Sequence, residues 1–347
     1  MLDKEHTMTE NFTSTRVTLA SRPIGKPTEA NFQIDRKPVR EIADGEVLLQ
    51  ILFLSLDPYM RGRMDDAKSY AAPVGIGDVM EGGTVARVLE SRNRSYAPGD
   101  IVLSHSGWQS HAVANGNDLR KLDPEKAPIS TALGVLGMPG FTAYAGLRNI
   151  GKPKAGETVV VAAASGAVGS VVGQIARIHG ARAVGIAGGK EKCAFVLDEL
   201  GFDAVIDHTD ANFPDALAAC CPDGIDVYFE NVGGPIWDAV FPLLNDFARV
   251  PVCGLIAHYN GEDAEQPDRL TNLMRTILRK SLTIRGFIQR EFADQRPDFY
   301  RDASQWITEG KLKYREDIVD GLENAPSAFI GLLQGRNFGK LIIRVSS

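Results

Sequence analysis

The sequence predicts an α/β protein in which a doubly wound parallel sheet is joined to a mostly-β domain. Two observations carry this reading. The first 130 or so residues hold short β-branched or leucine-rich runs separated by Pro, Gly, Asp and Asn. After about residue 134, apolar strand-like runs alternate with stretches of helical periodicity, the pattern of parallel strands linked by crossover helices. At 347 residues the chain suits two domains that share an interface.

The elements follow in order. EVLLQILFLSL (46–56), GGTVARVLES (82–91) and DIVLSH (100–105) read as strands, with YAPGD (96–100) as a turn. TVVVAAA (158–164), RAVGIAG (182–188), DAVIDH (203–208), DVYFENV (226–232), ARVPVCG (248–254) and LTIRGFI (282–288) read as buried strands of the parallel sheet. AVGSVVGQIARIHG and KCAFVLDELG carry helical periodicity between them, and RLTNLMRTILRK (269–280) reads as a solvated amphipathic helix. The last 35 residues read as a return to short strands, the final one rejoining the mostly-β domain. The boundaries expected are 1–134, with 310–347 returning to it, and 135–309 for the parallel sheet.

Composition narrows the function classes. A net charge of −6 and dispersed basic residues argue against nucleic acid as the main partner. No apolar run reaches membrane-spanning length, and the N-terminal stretch is polar, with its first dozen residues expected to be poorly ordered. Cys193, Cys220, Cys221 and Cys253 form no CxxC pair, so no structural zinc site is expected; free thiols in a cytoplasmic setting are the default.

The turn Ala164-Ser165-Gly166-Ala167-Val168-Gly169 lies between a strand and a helix. It resembles a dinucleotide-binding GxGxxG with alanine at the first glycine. Gly166 lets backbone approach a pyrophosphate, and Gly169 lets helix pack closely on strand. The next strand ends in IAGGKEKC (186–193), with Gly188 and Gly189 where an NAD site places an acid. Lys190 and Lys192 follow, and a lysine there attracts a 2′-phosphate. The cofactor expected is therefore NADPH.

The chain resembles the zinc-independent medium-chain dehydrogenases/reductases, in the branch of alkenal, leukotriene and prostaglandin reductases. The resemblance runs from about Val17 and rests on LSLDPYMRGRM (54–64), GVLGMPGFTAYAGL (134–147), AAASGAVGSVVGQIA (162–176), AGGKEKC (187–193), YFENVGG (228–234), PVCGLIAHYN (251–260) and DGLENAPSAFIGLLQGRNFGKLIIRV (320–345). It implies a GroES-like mostly-β catalytic domain plus a Rossmann domain, substrate in the cleft between them, homodimer formation, and reduction of a carbon–carbon double bond beside a carbonyl. It further implies that Gly166 through Gly169 (with Ala167 and Val168) hold pyrophosphate and that Lys192 contacts the 2′-phosphate. Asn231, the Cys253–Tyr259 segment with Gly254, Phe287, Ile288 and Asn337 match cofactor contacts. Tyr259 matches a tyrosine near the reacting carbonyl, and Tyr59 a residue of the substrate cleft. One departure stands out: His208 occupies the place of a tyrosine that helps hold the 2′-phosphate.

The chemistry follows from the residues available. Zinc-dependent relatives polarise a carbonyl with a metal held by Cys and His. This chain has no cysteine in its first 190 residues and shows MEGGTV (80–85) where those relatives place a His-Glu pair. An enone accepts hydride at its β carbon while charge builds on oxygen, and a positioned donor stabilises that charge. Tyr259 is the candidate donor, its phenol pKa near 10 suiting that task at neutral pH. The α-carbon proton comes from Tyr259 or water. His105, His111, His179 and His258 read as structural or exposed. Two other readings are carried forward: an NADPH:quinone oxidoreductase, and a non-catalytic NADPH-binding protein.

Overall fold

The computed structural model describes residues 12–67, 69–261 and 270–346. The expectation for the N-terminal dozen therefore falls almost wholly outside the described residues.

A two-stranded antiparallel ribbon opens the chain, β1 (Thr13–Leu19) with β2 (Phe32–Pro38), Leu19 lying opposite Phe32. There follow β3 (Glu46–Ser55), β4 (Thr84–Ser91), β5 (Ile101–Ser104), β6 (His111–Asn115) and β7 (Arg120–Leu122). Alternation is weak in β3, where Val47, Leu48, Leu49, Ile51, Leu52 and Leu54 are all buried. Such a strand is covered on both faces, and it is the central strand of its sheet, flanked by partners on either side.

The second sheet is built from β8 (Thr158–Ala162), β9 (Arg182–Ala187), β10 (Ala204–Asp207), β11 (Ile225–Phe229), β12 (Leu244–Val252) and β13 (Thr283–Gly286). All pairings are parallel and the order is β10-β9-β8-β11-β12-β13. This is the doubly wound order, and it reverses between β8 and β11, where a crevice opens at the strand carboxyl ends. Val159 and Val161 point into one apolar layer, Val160 and Ala162 into the other, so β8 is buried on both faces.

The chain then returns. β14 (Glu316–Asp320) and β15 (Lys340–Arg344) join the first sheet, β15 lying between β14 and β3 with Ile342 opposite Ser55. The expectation of short strands alone fails here, because a helix spans Ala325–Leu333 between them. Its cause is readable: Pro326 opens the first turn, Ala325, Phe329 and Leu332 fall on one buried face, and Gly335 follows the last turn. Phe329 packs edge-on against Trp108 and Phe32, whose rings stack 5.6 Å apart. The helix thus anchors the returning segment to the core of the first domain.

Candidate active site

Site geometry begins at the carboxyl end of β8. Ala163 takes a left-handed backbone, φ 53°, which costs a non-glycine residue energy and turns the chain sharply. Ala164 N–H donates to the Ile186 carbonyl at 2.9 Å, tying the turn to β9. Ala167 and Val168 complete the turn, and Gly169 opens the helix Gly169–Ile178. A Cβ at Gly169 would lie 2.3 Å from the Ala163 carbonyl oxygen, so only glycine fits. The helix N-terminus carries partial positive charge and faces the crevice of the reversed strand order.

The loop Gly335–Gly339 lies across this turn. Gly166 forms an isolated parallel bridge with Gly339. Lys192 Nζ donates to the Gly335 carbonyl at 2.5 Å, and Asn337 Nδ2 donates to the Gly339 carbonyl at 2.9 Å. Phe338 is clamped between the Phe195 ring and the Arg315 guanidinium, the latter 3.6 Å from its centroid. The structure therefore brings Gly166, Lys192 and Asn337 together through a segment remote in sequence. Lys192 is half-buried, and burial lowers its pKa while Asp317 and Glu191 oppose that shift.

His208 follows β10. Its Nε2 lies 2.8 Å from where a Cβ on Gly188 would stand, so the imidazole covers that glycine. Asp207 beside it accepts hydrogen bonds from Gly189 N–H and from the Thr209 amide and hydroxyl, which hold its carboxyl below the usual range. The signal for Asp207 in the sequence is its place in the ID-H-T end of a strand.

Asn231 Nδ2 donates to the Ala162 carbonyl at 2.9 Å and joins the ends of β11 and β8. Glu230, buried beside it, accepts from the Tyr228 hydroxyl, Val232 N–H and Gly233 N–H. Burial pushes the Glu230 carboxyl up. Its main-chain carbonyl receives Cys253 N–H and Gly254 N–H, fixing the Cys253–Tyr259 segment at the end of β12. Burial pushes the Cys253 thiol up to about 12, so at neutral pH it is a thiol and not a nucleophile. Phe287 departs from the rest. Its ring is buried against Phe229 and Phe292, in the core rather than in the crevice, and Ile288 N–H is taken by Glu291. Any contact Phe287 makes in the crevice is through its main chain.

The two candidate tyrosines meet. A cavity of about 300 Å³ is lined by Tyr59, Arg63 and Tyr70 from the mostly-β domain and by His258 and Tyr259 from the parallel-sheet domain. Tyr259 Oη accepts from Leu255 N–H at 3.3 Å and lies 2.9 Å from a Cβ position on Gly254. Accepting at oxygen leaves its own proton to be donated. Burial raises the pKa of both Tyr259 and Tyr59, for Tyr59 with the help of Asp57 and Glu81. Tyr70 carries no pattern in the sequence that marks it for the site. Its ring faces the Arg63 guanidinium at 4.4 Å, and Arg63 is itself paired with Glu81 at 2.6 Å. Among the described residues, no cluster of three or more His, Cys, Asp or Glu side chains is placed to hold a metal.

Comparison with known proteins agrees with this geometry. A family profile described as the N-terminal domain of oxidoreductase matches residues 15–122, and one described as zinc-binding dehydrogenase matches 167–309. The NADPH-dependent curcumin reductase of Escherichia coli (strain K12) is 54% identical over 95% of this chain and 96% of that protein. The chain belongs to the medium-chain dehydrogenase/reductase family, in the branch of the curcumin and prostaglandin reductases. Within that family, the crystal structure of CurA from Vibrio vulnificus in complex with NADPH is 52% identical, with a TM-score of 0.93 over 96% of this chain and 99% of that one. Prostaglandin reductase 1 of Bos taurus is 42% identical over 94% of this chain and 98% of that protein.

Proposed function

We propose that this chain reduces the carbon–carbon double bond of α,β-unsaturated ketones and aldehydes, curcumin-type enones and alkenals, using NADPH. The observation that carries the reading is the cavity in which Tyr59 and Tyr259 converge from two domains, beside the Cys253–Gly254 main chain at the strand carboxyl ends. The relatives' NADPH dependence and NADPH complex support the cofactor.

The residues present fit a dinucleotide. The glycine turn at a helix N-terminus suits the pyrophosphate, with Gly166, Ala167, Val168 and Gly169 around it. Lys192 and His208 line the end suited to a 2′-phosphate, and Asn337 supports it through the loop it closes. Asn231, Cys253, Gly254, Tyr259 and the main chain at Phe287–Ile288 border the opposite end. NADPH bound there supplies the hydride. Tyr259, protonated, donates to the substrate carbonyl oxygen as enolate charge builds, a donor fixed in place before reaction. Tyr59 and Tyr70 supply flat apolar faces with polar tips, suited to a planar conjugated enone. The α-carbon proton arrives from Tyr259 or water.

The reading extends to domain boundaries of 1–134 with 310–347, and 135–309, supported by which strands join which sheet. It includes a homodimer, supported by the family resemblance, and a cytoplasmic setting, supported by four unpaired cysteines. No helix among the described residues is long and apolar enough to cross a membrane.

The test is loss of reduced-nicotinamide absorbance with an enone, the product identified by mass and NMR. The saturated ketone and a quinone serve as controls, with NADPH and NADH side by side. A saturated ketone formed from NADPH is the expected result. Turnover of the quinone alone would replace the proposal with a quinone oxidoreductase, and binding without any turnover with a non-catalytic protein.

A further inference from the structure

Lys340 and Asp57 form a buried ion pair that the chemistry above does not use. Their side chains are 5% and 8% exposed, and Lys340 Nζ donates to Asp57 Oδ1 at 2.7 Å and to the Leu56 carbonyl at 2.8 Å. Asp57 also accepts from the Ser55 hydroxyl. A half-buried carboxylate, Glu316, feels the Lys340 charge and receives the Ser130 hydroxyl at 2.7 Å, while its other oxygen is buried without a hydrogen-bond partner.

The place of this pair in the chain is what matters. Asp57 begins the turn that carries Tyr59, and its carbonyl accepts Met60 N–H. Lys340 follows Gly339, the residue bridged to Gly166 in the turn before the helix. The Lys340 stem also packs at Gly134, where a Cβ would lie 3.2 Å from it and where the chain passes toward the parallel sheet. One residue therefore links the substrate-side turn through its ammonium, the crossover through its stem and the nucleotide-side turn through its main chain beside Gly339. A buried pair of this kind adds little stability over apolar residues of the same volume, but it fixes geometry, because each charge accepts few alternative positions.

We infer that Lys340 and Asp57 are positioning residues that hold Tyr59 in register with the turn at Gly166, so that nucleotide binding at the turn orders the Tyr59 segment. The inference rests on the reading that Gly166 faces nucleotide and Tyr59 faces substrate. Neither residue of the pair touches substrate.

The experiment compares the full-length wild type with Asp57→Asn/Lys340→Met, which removes both charges together and leaves neither buried alone. Circular dichroism and Tm establish folding. Hydrogen exchange by mass spectrometry is then followed in segments 54–64 and 158–170, with and without NADPH. In the wild type NADPH slows exchange in both segments. In the double variant the slowing at 158–170 persists and the slowing at 54–64 falls by about tenfold or more. The same variant loses about tenfold in kcat for an enone, with its NADPH Kd changed less than about threefold. Nucleotide-dependent slowing at 54–64 that survives in the double variant would overturn the inference, as would a fall in Tm with no other change. Absence of slowing at 158–170 in the wild type would overturn the nucleotide reading and the inference with it. The expected exchange pattern in a wild type that turns over no enone would support the linkage and sink only the catalytic reading.

Discussion

Lys192→Ala removes a single cation from the adenosine end of the proposed nucleotide site, and the structure sets the size of the effect. The ammonium is half-buried and already donates to the Gly335 carbonyl. An exposed ion pair contributes up to about 1 kcal/mol, and a hydrogen bond to a charged group about 1.5–3 kcal/mol. Half-burial places the 2′-phosphate interaction near about 1.5–2 kcal/mol, or about ten- to thirtyfold in Kd. The same substitution frees the Gly335–Gly339 loop that lies on Gly166, and this weakens NADPH and NADH alike. The ratio of the two dissociation constants cancels the shared part. Fluorescence titration of NADPH and NADH into wild type and variant is therefore expected to show the NADPH preference falling about ten- to thirtyfold, with a smaller fall at high salt. Equal losses for the two nucleotides would refute the assignment of Lys192 to the 2′-phosphate and leave it a loop anchor.

Three further outcomes follow from the site. Tyr259→Phe keeps the ring and removes the donor, so kcat is expected to fall about a hundredfold while NADPH affinity stays within about twofold; unchanged turnover would assign the donor elsewhere. Because burial raises the Tyr259 pKa, the phenol stays protonated as pH rises. The wild-type to Tyr259→Phe kcat ratio should hold constant from about pH 7 to about pH 9.5, below the ordinary phenol pKa near 10, and a ratio that declines below about pH 9 would contradict the effect of burial. Gly169→Ala places a methyl 2.3 Å from the Ala163 carbonyl. Forcing the turn open is expected to cost about 1–3 kcal/mol in denaturant unfolding and to weaken both nucleotides, and a variant of unchanged stability would show that the turn yields.

Much of this was legible from local pattern. The buried strands of the parallel sheet announce themselves by runs such as TVVVA, and the glycine turn by its place between such a run and a helix. What was not legible depends on distant partners. β1 and β2 mix polar and apolar residues and gain their identity from pairing with each other. The Ala325–Leu333 helix was hidden among strand-like apolar residues and is settled by the Trp108–Phe32 surface on which Phe329 rests. In the site, Gly166 and Lys192 carry their own signals. Tyr70 does not, because only its packing on Arg63 brings it to the cavity that Tyr259 also lines. The resemblance matches Phe287 to a cofactor contact, and no local pattern shows that its ring turns inward onto Phe229.

The return of β15 to lie between β14 and β3 has a consequence for the order in which this protein can be made. During synthesis β3 emerges early, but the neighbour it needs on one edge is encoded nearly three hundred residues later. The parallel sheet, contiguous in the chain, is free to assemble while the first sheet still waits with an open edge. The first sheet therefore gains its last pairing only after every strand of the parallel sheet has been made.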